Sequence, residues 1–483
     1  MAITNWPIYY KDNLVFGNPK SEVAILTLWT PVVKITEKLD KKLFSVVGQL
    51  YSKDGINYVI RNIIANPVIR YLIICGQDNS GSGGALIDFF KKGVDEDYNI
   101  KDNSFSLIHK EIPLEFLENL RKSVQIKDLR GVSDVNRIVK EINSCQPIGR
   151  PFGAPKIFPE HKEENIPIFP NEGSVFKIND KYIGSAWLRI LKTILKFGAI
   201  NKSWYGNEVK EIYNIAAVVS EENPLFPKMF PYLRVSKEDI DKYQASVMKG
   251  EKGDEVYTYG ERLWNYKGIN QVDEVIIPYL KKYPSDRAAL AVVFDMTNDH
   301  KASRAPCMCL VQATTLKNKL NLTAYFRSHA MFSGWVLNAF GLRRLQLHIA
   351  QKLSKEIGLL TIFSNCAHIY DNEWQVAREI VEKYGDTLSK NPLDPRGYFV
   401  INTQNGEIIL KHYSPEGQFL QEFRQNGKEE KAAMKMYYKL ITAEAISEIS
   451  HAFDLGVELE KAEIAVKNDL KYTQDKELFY GKK

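Results

Sequence analysis

The sequence predicts a mixed α/β protein in parts: an α/β module over residues 1–145, an α+β module over 174–390, and a hairpin-plus-helices extension over 391–483. Three observations predict this. A chain of 483 residues exceeds one ordinary core. In its first third, short continuous apolar runs alternate with segments of helical period, the signature of a parallel sheet with both faces covered. Finally, Pro147, Pro151, Pro155, Pro159, Pro167 and Pro170, with Gly149, Gly153 and Gly173 among them, crowd residues 146–173. That texture reads as a linker or a strap across a surface.

In the first module Val23–Leu28 and Tyr71–Cys75 read as buried strands, and the segments 43–51, 56–65 and 85–92 as helices. A strand, the glycine loop Gly76–Gly84 and a helix in succession make a Rossmann-like parallel sheet. Such a turn cradles an anion on backbone N–H groups, or is simply a tight strand-to-helix turn. It matches neither the P-loop nor the strict dinucleotide fingerprint. In the second module 187–197 reads as a helix, and 289–294, 308–313 and 320–326 as successive strands. A long helix is expected from Asn338 to Ile357, closed by Gly358 as a C-cap, then a strand at 359–363 and a helix at 373–384. The extension opens with strands 398–402 and 407–412 around Asn405-Gly406, a turn that favours positive φ, followed by helices near 429–450 and 452–470.

Composition narrows the function. The net charge is +6, with Lys and Asp/Glu interleaved, so no basic block marks a nucleic-acid polymer as partner. No apolar run reaches the roughly 20 residues that span a bilayer, and the first residues lack the character of a signal peptide. The expected location is cytoplasmic. Five scattered cysteines (75, 145, 307, 309, 366) fit a reducing compartment better than a disulfide framework. Cys307 and Cys309 form Cys-x-Cys, a poor metal site without further paired ligands, so no metal is expected.

Two stretches carry the chemistry. One is Arg304–Gln312, with Cys307. The other is Tyr325–Asn338, with Arg327, followed by Cys366-Ala-His-Ile-Tyr370. A thiolate, a guanidinium to lower its pKa, a side-chain amide that reads a base and a His/Tyr pair that reads a sugar together suit nucleophilic attack on a pyrimidine nucleotide. Cys307 taken alone reads equally well as a small buried core residue.

Six motifs stand in order: Tyr259-Gly260, Ser285-Asp-Arg287, Ala305-Pro-Cys307, Phe326-Arg-Ser328, Leu337-Asn338 and His368-Ile-Tyr370. On these the region 180–390 resembles thymidylate synthase, especially its archaeal branch. The resemblance implies methylation of dUMP to dTMP by an obligate homodimer with shared sites. It implies that Cys307 is the nucleophile, that Arg327 contacts the thiolate and the phosphate, and that Ser328 binds phosphate. Asn338 would select uracil over cytosine, His368 and Tyr370 would bind the ribose 3′-hydroxyl, and Tyr259 would join the network near carbon 5. Arg287 would reach the partner subunit's nucleotide. Lys202 stands at about the place of the phosphate-loop arginine, or is merely solvated. The co-substrate implied is methylene-tetrahydrofolate or methylene-tetrahydromethanopterin.

The departures are specific. Ala330 stands where the family has the Asp that anchors the pterin, and Ala288 where it has a second phosphate arginine. His329 is new beside Arg327; it takes over cofactor binding or is a satisfied core histidine. These departures keep open a pyrimidine-nucleotide hydroxymethylase and a non-catalytic nucleotide- or pterin-binding descendant. In the N-terminal module Asn5-Trp-Pro7, Val23–Leu28, Asn66–Gly76 and Ile112–Glu118 resemble the corrinoid-carrying subunit of tetrahydromethanopterin S-methyltransferase. That resemblance implies a corrinoid, yet the loop Gln77–Gly84 holds no histidine to bind cobalt, and Ser82 lies nearest.

Overall fold

The computed structural model describes residues 6–159, 168–203, 208–252, 256–302, 305–389 and 392–479. The first residues, Arg304 and part of the loop after Lys202 therefore lie outside the described residues. The chain forms two compact units, Met1–Gly385 and Asp386–Lys483.

The first unit opens with β1 (Val15–Phe16), β2 (Val23–Leu26), α1 (Val32–Thr36), β3 (Val46–Gly48), α2 (Gly55–Ala65), β4 (Tyr71–Gly76), α3 (Ser82–Lys92), β5 (Asn99–Ile100), β6 (Asn103–Leu107), α4 (Leu114–Ser123), β7 (Gln125–Arg130) and α5 (Val135–Asn143). The sheet order is β1-β3-β2-β4-β7, parallel except for β1. Every residue of β2 and β4 is buried, because cores lie on both faces. Ile60, Leu86, Phe89 and Leu117 belong to one core, and Ile35, Phe44, Ile138 and Ile142 to the other. The helix expected over 43–51 is absent: Val46–Gly48 is strand β3, parallel to β2. A short apolar run carries no period that separates helix from strand, and pairing with β2 decides it. The proline-rich segment behaves as a strap. The N–H groups of Ile148 and Gly149 donate to the Glu22 carboxylate at 2.8 and 2.6 Å, and Phe158 enters the core.

The glycine loop is already satisfied from within. The Asp78 carboxylate accepts the N–H of Gly83 at 3.0 Å and of Gly84 at 2.8 Å, so the first turn of α3 has an anion of its own. Ser82 is buried and donates to the Leu50 carbonyl at 2.7 Å. These residues do not fit a cobalt-bound corrinoid.

The central sheet follows: β8 (Phe176–Asp180), α6 (Ile183–Phe197), β9 (Ala199–Lys202), β10 (Glu208–Val219), α7 (Lys237–Val247), α8 (Tyr259–Trp264), α9 (Ile277–Lys282), β11 (Leu290–Val292), β12 (Met308–Leu316), β13 (Lys319–Ala330), α10 (Trp335–Lys352), β14 (Glu356–Tyr370) and α11 (Trp374–Tyr384). Its order is β11-β12-β13-β14-β10-β8, with β9 also on β10. Parallel pairs (β13–β14, β10–β8) mix with antiparallel ones. The helix expected over 338–357 is shifted: α10 starts at Trp335 and stops at Lys352, and Gly358 lies inside β14. Glycine is needed there for close approach, since a Cβ would sit 2.2 Å from Asn321 Oδ1. Arg343 of α10, buried, donates to the carbonyls of Glu222 (2.8 Å) and Gly358 (2.7 Å), tying the helix to β14 and to the segment after β10.

The sheet carries a shared step. Along β13 the buried positions run Leu320, Leu322, Ala324, Phe326, and the next is His329, three residues on. Along β14 they run Leu360, Ile362, Ser364, then Ala367. In β10, Ile212 and Ile215 flank Tyr213 and Asn214, with Asn214 at φ 57°. In β12 the register shifts between Met308 and Leu310. Pairing of Phe326 with Ser364, and of Ser364 with Ile215, puts these bulges at one level across neighbouring strands. Beyond that level the inward phase is reversed.

The second unit holds an antiparallel sheet, β15 (Tyr398–Gln404), β16 (Glu407–Tyr413) and β17 (Phe419–Asn426), with α12 (Ala432–Thr442) and α13 (Ile449–Lys467). The expected Asn405-Gly406 turn is present, at φ 52° and 79°. The sequence gives no sign of β17, whose residues are mostly exposed and show no alternating face.

Candidate active site

Strand direction gathers the candidates. Parallel β13 and β14 both end at one edge of the sheet, where antiparallel β12 and β10 begin. Ser328 pairs with Cys366 and Ala330 with His368; Glu211 pairs with His368 and Val209 with Tyr370. Cys307 precedes β12 at this edge, and Asn338 enters from the first turn of α10.

Arg327 holds the loop that presents the cysteine. Its N–H donates to the Cys307 carbonyl at 2.9 Å, while Nε and Nη2 donate to the carbonyls of Pro306 (3.0 Å) and Ala305 (2.9 Å). The expected depression of the thiol is not what results. Burial pushes the Cys307 thiol above its ordinary value, and the nearby Arg327 charge only partly opposes this. The Tyr259 hydroxyl accepts the Met308 N–H at 3.3 Å, and burial pushes that phenol well up. Tyr257, which no motif in the sequence marks, is also beside Cys307, and its phenol is raised by burial.

Asn338 is held from both sides. The Tyr243 hydroxyl donates to Asn338 Oδ1, and Asn338 Nδ2 lies 3.0 Å from His329 Nε2. His329 Nδ1 in turn lies 2.9 Å from Ser364 Oγ, and its ring stacks on Phe326 at 3.9 Å. His329 is 2% exposed. Burial, reinforced by His368, drops its pKa to about 3. It therefore stands behind Asn338, with both ring nitrogens engaged inside the protein. A cavity of about 10 Å³, roughly the room one water needs, lies between Tyr243, Tyr259, Met308, Phe326 and Asn338. His368 is buried, 3.3 Å from the Cys366 carbonyl through Nδ1, and meets Tyr370 edge-on at 4.9 Å. Burial lowers its pKa.

Two candidates stand apart. Arg287 precedes β11, and its carbonyl accepts from Gln312 at 2.5 Å. Gln312 is five residues along the strand from Cys307, about 16 Å at roughly 3.3 Å per residue. Lys202 is exposed at the end of β9 opposite Glu208, on the site's edge of the sheet. Ala330 is half-buried beside His368. Among the described residues no group of three His, Cys, Asp or Glu is placed to hold a metal ion.

One further buried acid borders the site. Glu373 follows Tyr370, accepts its N–H at 3.3 Å and is 6% exposed. Burial, with the Asp54 carboxylate nearby, raises its pKa to about 8. Asp54 comes from the N-terminal sheet's α2 start, where it bonds Asn372 and lies 3.1 Å from His109. Neither Glu373 nor Tyr243 has a sequence signal: one is a single acid at a helix start, the other one face of an amphipathic helix 95 residues from its partner.

Comparison with known proteins decides the family. A profile described as thymidylate synthase matches residues 226–423. A relative from Methanosarcina mazei, provisionally named thymidylate synthase, is 33% identical over 206 residues, 42% of this chain and 94% of its own length. The chain belongs to the thymidylate synthase family. Similar thymidylate synthase relatives occur in Methanothermobacter marburgensis (32% identity, 43% of this chain, 98% of its own) and Methanocaldococcus jannaschii (30%, 39% and 87%). Outside the synthase region, the MtrA subunit of tetrahydromethanopterin S-methyltransferase matches 1–154, and a family described as PterinBD-DUF4346 matches 393–475. The last has no counterpart among the sequence motifs.

Two expectations follow from these electrostatics. Alkylation of Cys307 by iodoacetamide, followed by peptide mapping against pH, should inflect above the ordinary thiol value of about 8.5. Arg327→Ala should move it higher still; an inflection below that value refutes the burial argument. For Glu373 the folded pKa of about 8 lies above the unfolded value of about 4.3. The folded state then binds the extra proton between those values, so stability falls as pH rises through that window. Glu373→Gln should match the parent near pH 4 and exceed it by roughly 1–3 kcal/mol near pH 8.5 in urea unfolding; a difference independent of pH would sink the idea.

Proposed function

We propose that this protein methylates dUMP at carbon 5 to give dTMP. The observation that carries the reading is the convergence of Cys307, Arg327, Ser328, Asn338, His368 and Tyr370 on one edge of one sheet. Cys307 Sγ bonds to ring carbon 6, and the electron pair displaced from the double bond makes carbon 5 a nucleophile. Arg327 provides positive charge beside both the sulfur and the phosphate, which Ser328 also binds. Asn338 meets the pyrimidine carbonyl and ring N–H, and His368 and Tyr370 meet the 3′-hydroxyl. Tyr259 lies where the hydrogen-bond network reaches carbon 5. A methylene-tetrahydropterin supplies the carbon and the hydride. The carbon 5 proton leaves, and the Sγ–carbon 6 bond breaks as the ring double bond returns.

The donor is tetrahydromethanopterin-like rather than folate. Ala330 offers no carboxylate to anchor a folate ring, and the name of one further matched family contains tetrahydromethanopterin, that of the other pterin. The working form is a homodimer. β11, β13 and β14 expose Val292, Tyr325, Leu359 and Phe363 (39, 36, 45 and 41%), too much apolar strand surface to leave to solvent. Pairing through that face also gives Arg287, remote from its own Cys307, a partner's phosphate to bind. Among the described residues no helix is long and apolar enough to cross a membrane, and a cytoplasmic location suits these substrates.

Incubation with 5-fluoro-dUMP and methylene-tetrahydromethanopterin should give a stable covalent adduct by intact mass, mapping to Cys307 and lost in Cys307→Ser. Nucleotide binding without an adduct, with either this pterin or methylene-tetrahydrofolate, refutes catalysis and leaves a binding descendant. In sedimentation, Phe363→Glu should run as a monomer where the parent runs as a dimer; an unchanged dimer excludes this face.

A further inference from the structure

We propose that Tyr243, His329 and Ser364 form a directional lock on the Asn338 amide, and that this lock makes the site accept uracil and refuse cytosine. The inference rests on the reading that Asn338 faces the pyrimidine. It concerns positioning residues, none of which touches the base.

The lock follows from proton counting. Tyr243 donates to Asn338 Oδ1, Asn338 Nδ2 faces His329 Nε2 at 3.0 Å, and His329 Nδ1 faces Ser364 Oγ at 2.9 Å. A neutral imidazole donates through one nitrogen and accepts through the other. With Asn338 Nδ2 donating to Nε2, the ring proton must sit on Nδ1 and point at Ser364. Each group thus donates to the next, from Tyr243 to Ser364. Turning the Asn338 amide over would require His329 to change tautomer and the Tyr243 and Ser364 hydroxyls to reverse together. Burial of His329 at 2% exposure, and its stacking on Phe326 at 3.9 Å, leave the ring no other pose. The groups facing it are Phe326 of its own strand, Ser364 of β14 and Asn338 of α10; His368 is the titratable neighbour, also buried.

The lock leaves one lone pair on Oδ1 and one hydrogen on Nδ2 for a ligand. Uracil presents an N–H at position 3 and a carbonyl at position 4, and the free lone pair and hydrogen complement them. Cytosine presents the reverse pair and needs the reversed amide. Hydrogen-bond sites discriminate strongly when their polar groups would otherwise be left unpaired. Discrimination is therefore built into residues behind the site, from β13, β14 and α7.

Two measurements test this on the full chain. Calorimetric binding of dUMP and dCMP should show a preference of about a hundredfold or more for dUMP. Tyr243→Phe and His329→Gln should each reduce the ratio at least tenfold, chiefly by admitting dCMP. A ratio unchanged in both folded variants overturns the lock. The second measurement needs no variant. Nitrogen NMR of ¹⁵N-histidine-labelled protein should find His329 protonated on Nδ1 and bare on Nε2 from about pH 5 to 9; the opposite tautomer overturns the lock. Should the parent bind neither nucleotide, the base-reading role of Asn338 fails, while the tautomer still decides whether the lock exists.

Discussion

The bulges shared by β12, β13, β14 and β10 are the constraint on which the site depends. A strand places alternate residues on alternate faces, so a regular β13 would send Phe326 and Ser328 inward and Arg327 and His329 outward. With the step, Phe326 and His329 are both buried, and Arg327 and Ser328 are successive residues turned toward the open side. A bulge in one strand alone would break its pairing with the next. Because neighbouring strands step at one level, Phe326 still pairs with Ser364 and Ser328 with Cys366. The guanidinium beside Cys307 and the imidazole behind Asn338 are products of the same irregularity.

Burial also keeps the unliganded site nearly free of side-chain charge. It holds the Cys307 thiol and the Tyr259 phenol up, His329 and His368 down, and Glu373 protonated toward about pH 8. Arg327 is the cation among them, and its nitrogens are committed to backbone carbonyls. A dianionic nucleotide entering such a place meets few competing charges, and the field it brings acts at full strength in a low-dielectric surround.

Much of this was legible in the sequence, and the failures have definite causes. Cys307, Arg327, Asn338, His368 and Tyr370 stand in motifs, so chain order placed them. The strands β2 and β4 were legible because continuous apolar runs suit strands buried on both faces. β3 was misread because three residues carry no period, and β17 because an exposed strand has no inner face to alternate. Gly358 looked like a helix cap because a glycine after a helical run has that local meaning; the contact with Asn321 that requires it is tertiary. The lowered thiol pKa was inferred from a charge, whereas the larger effect, burial, is a property of packing. Tyr243, Ser364 and Glu373 act through partners on other elements, which no local pattern records.

Asp78 has a consequence for how the N-terminal sheet relates to its relatives. A carboxylate tethered five residues before the α3 amides it caps is a ligand the chain cannot dilute away. Intramolecular ligands of this kind act at effective concentrations on the order of millimolar or more. A phosphate or other metabolite at micromolar level loses that competition. A scaffold whose architecture offers a place for a diffusible anion has thus become self-sufficient, and what remains for it to offer is its surface, where Asp54 reaches Asn372 beside the nucleotide half of the molecule.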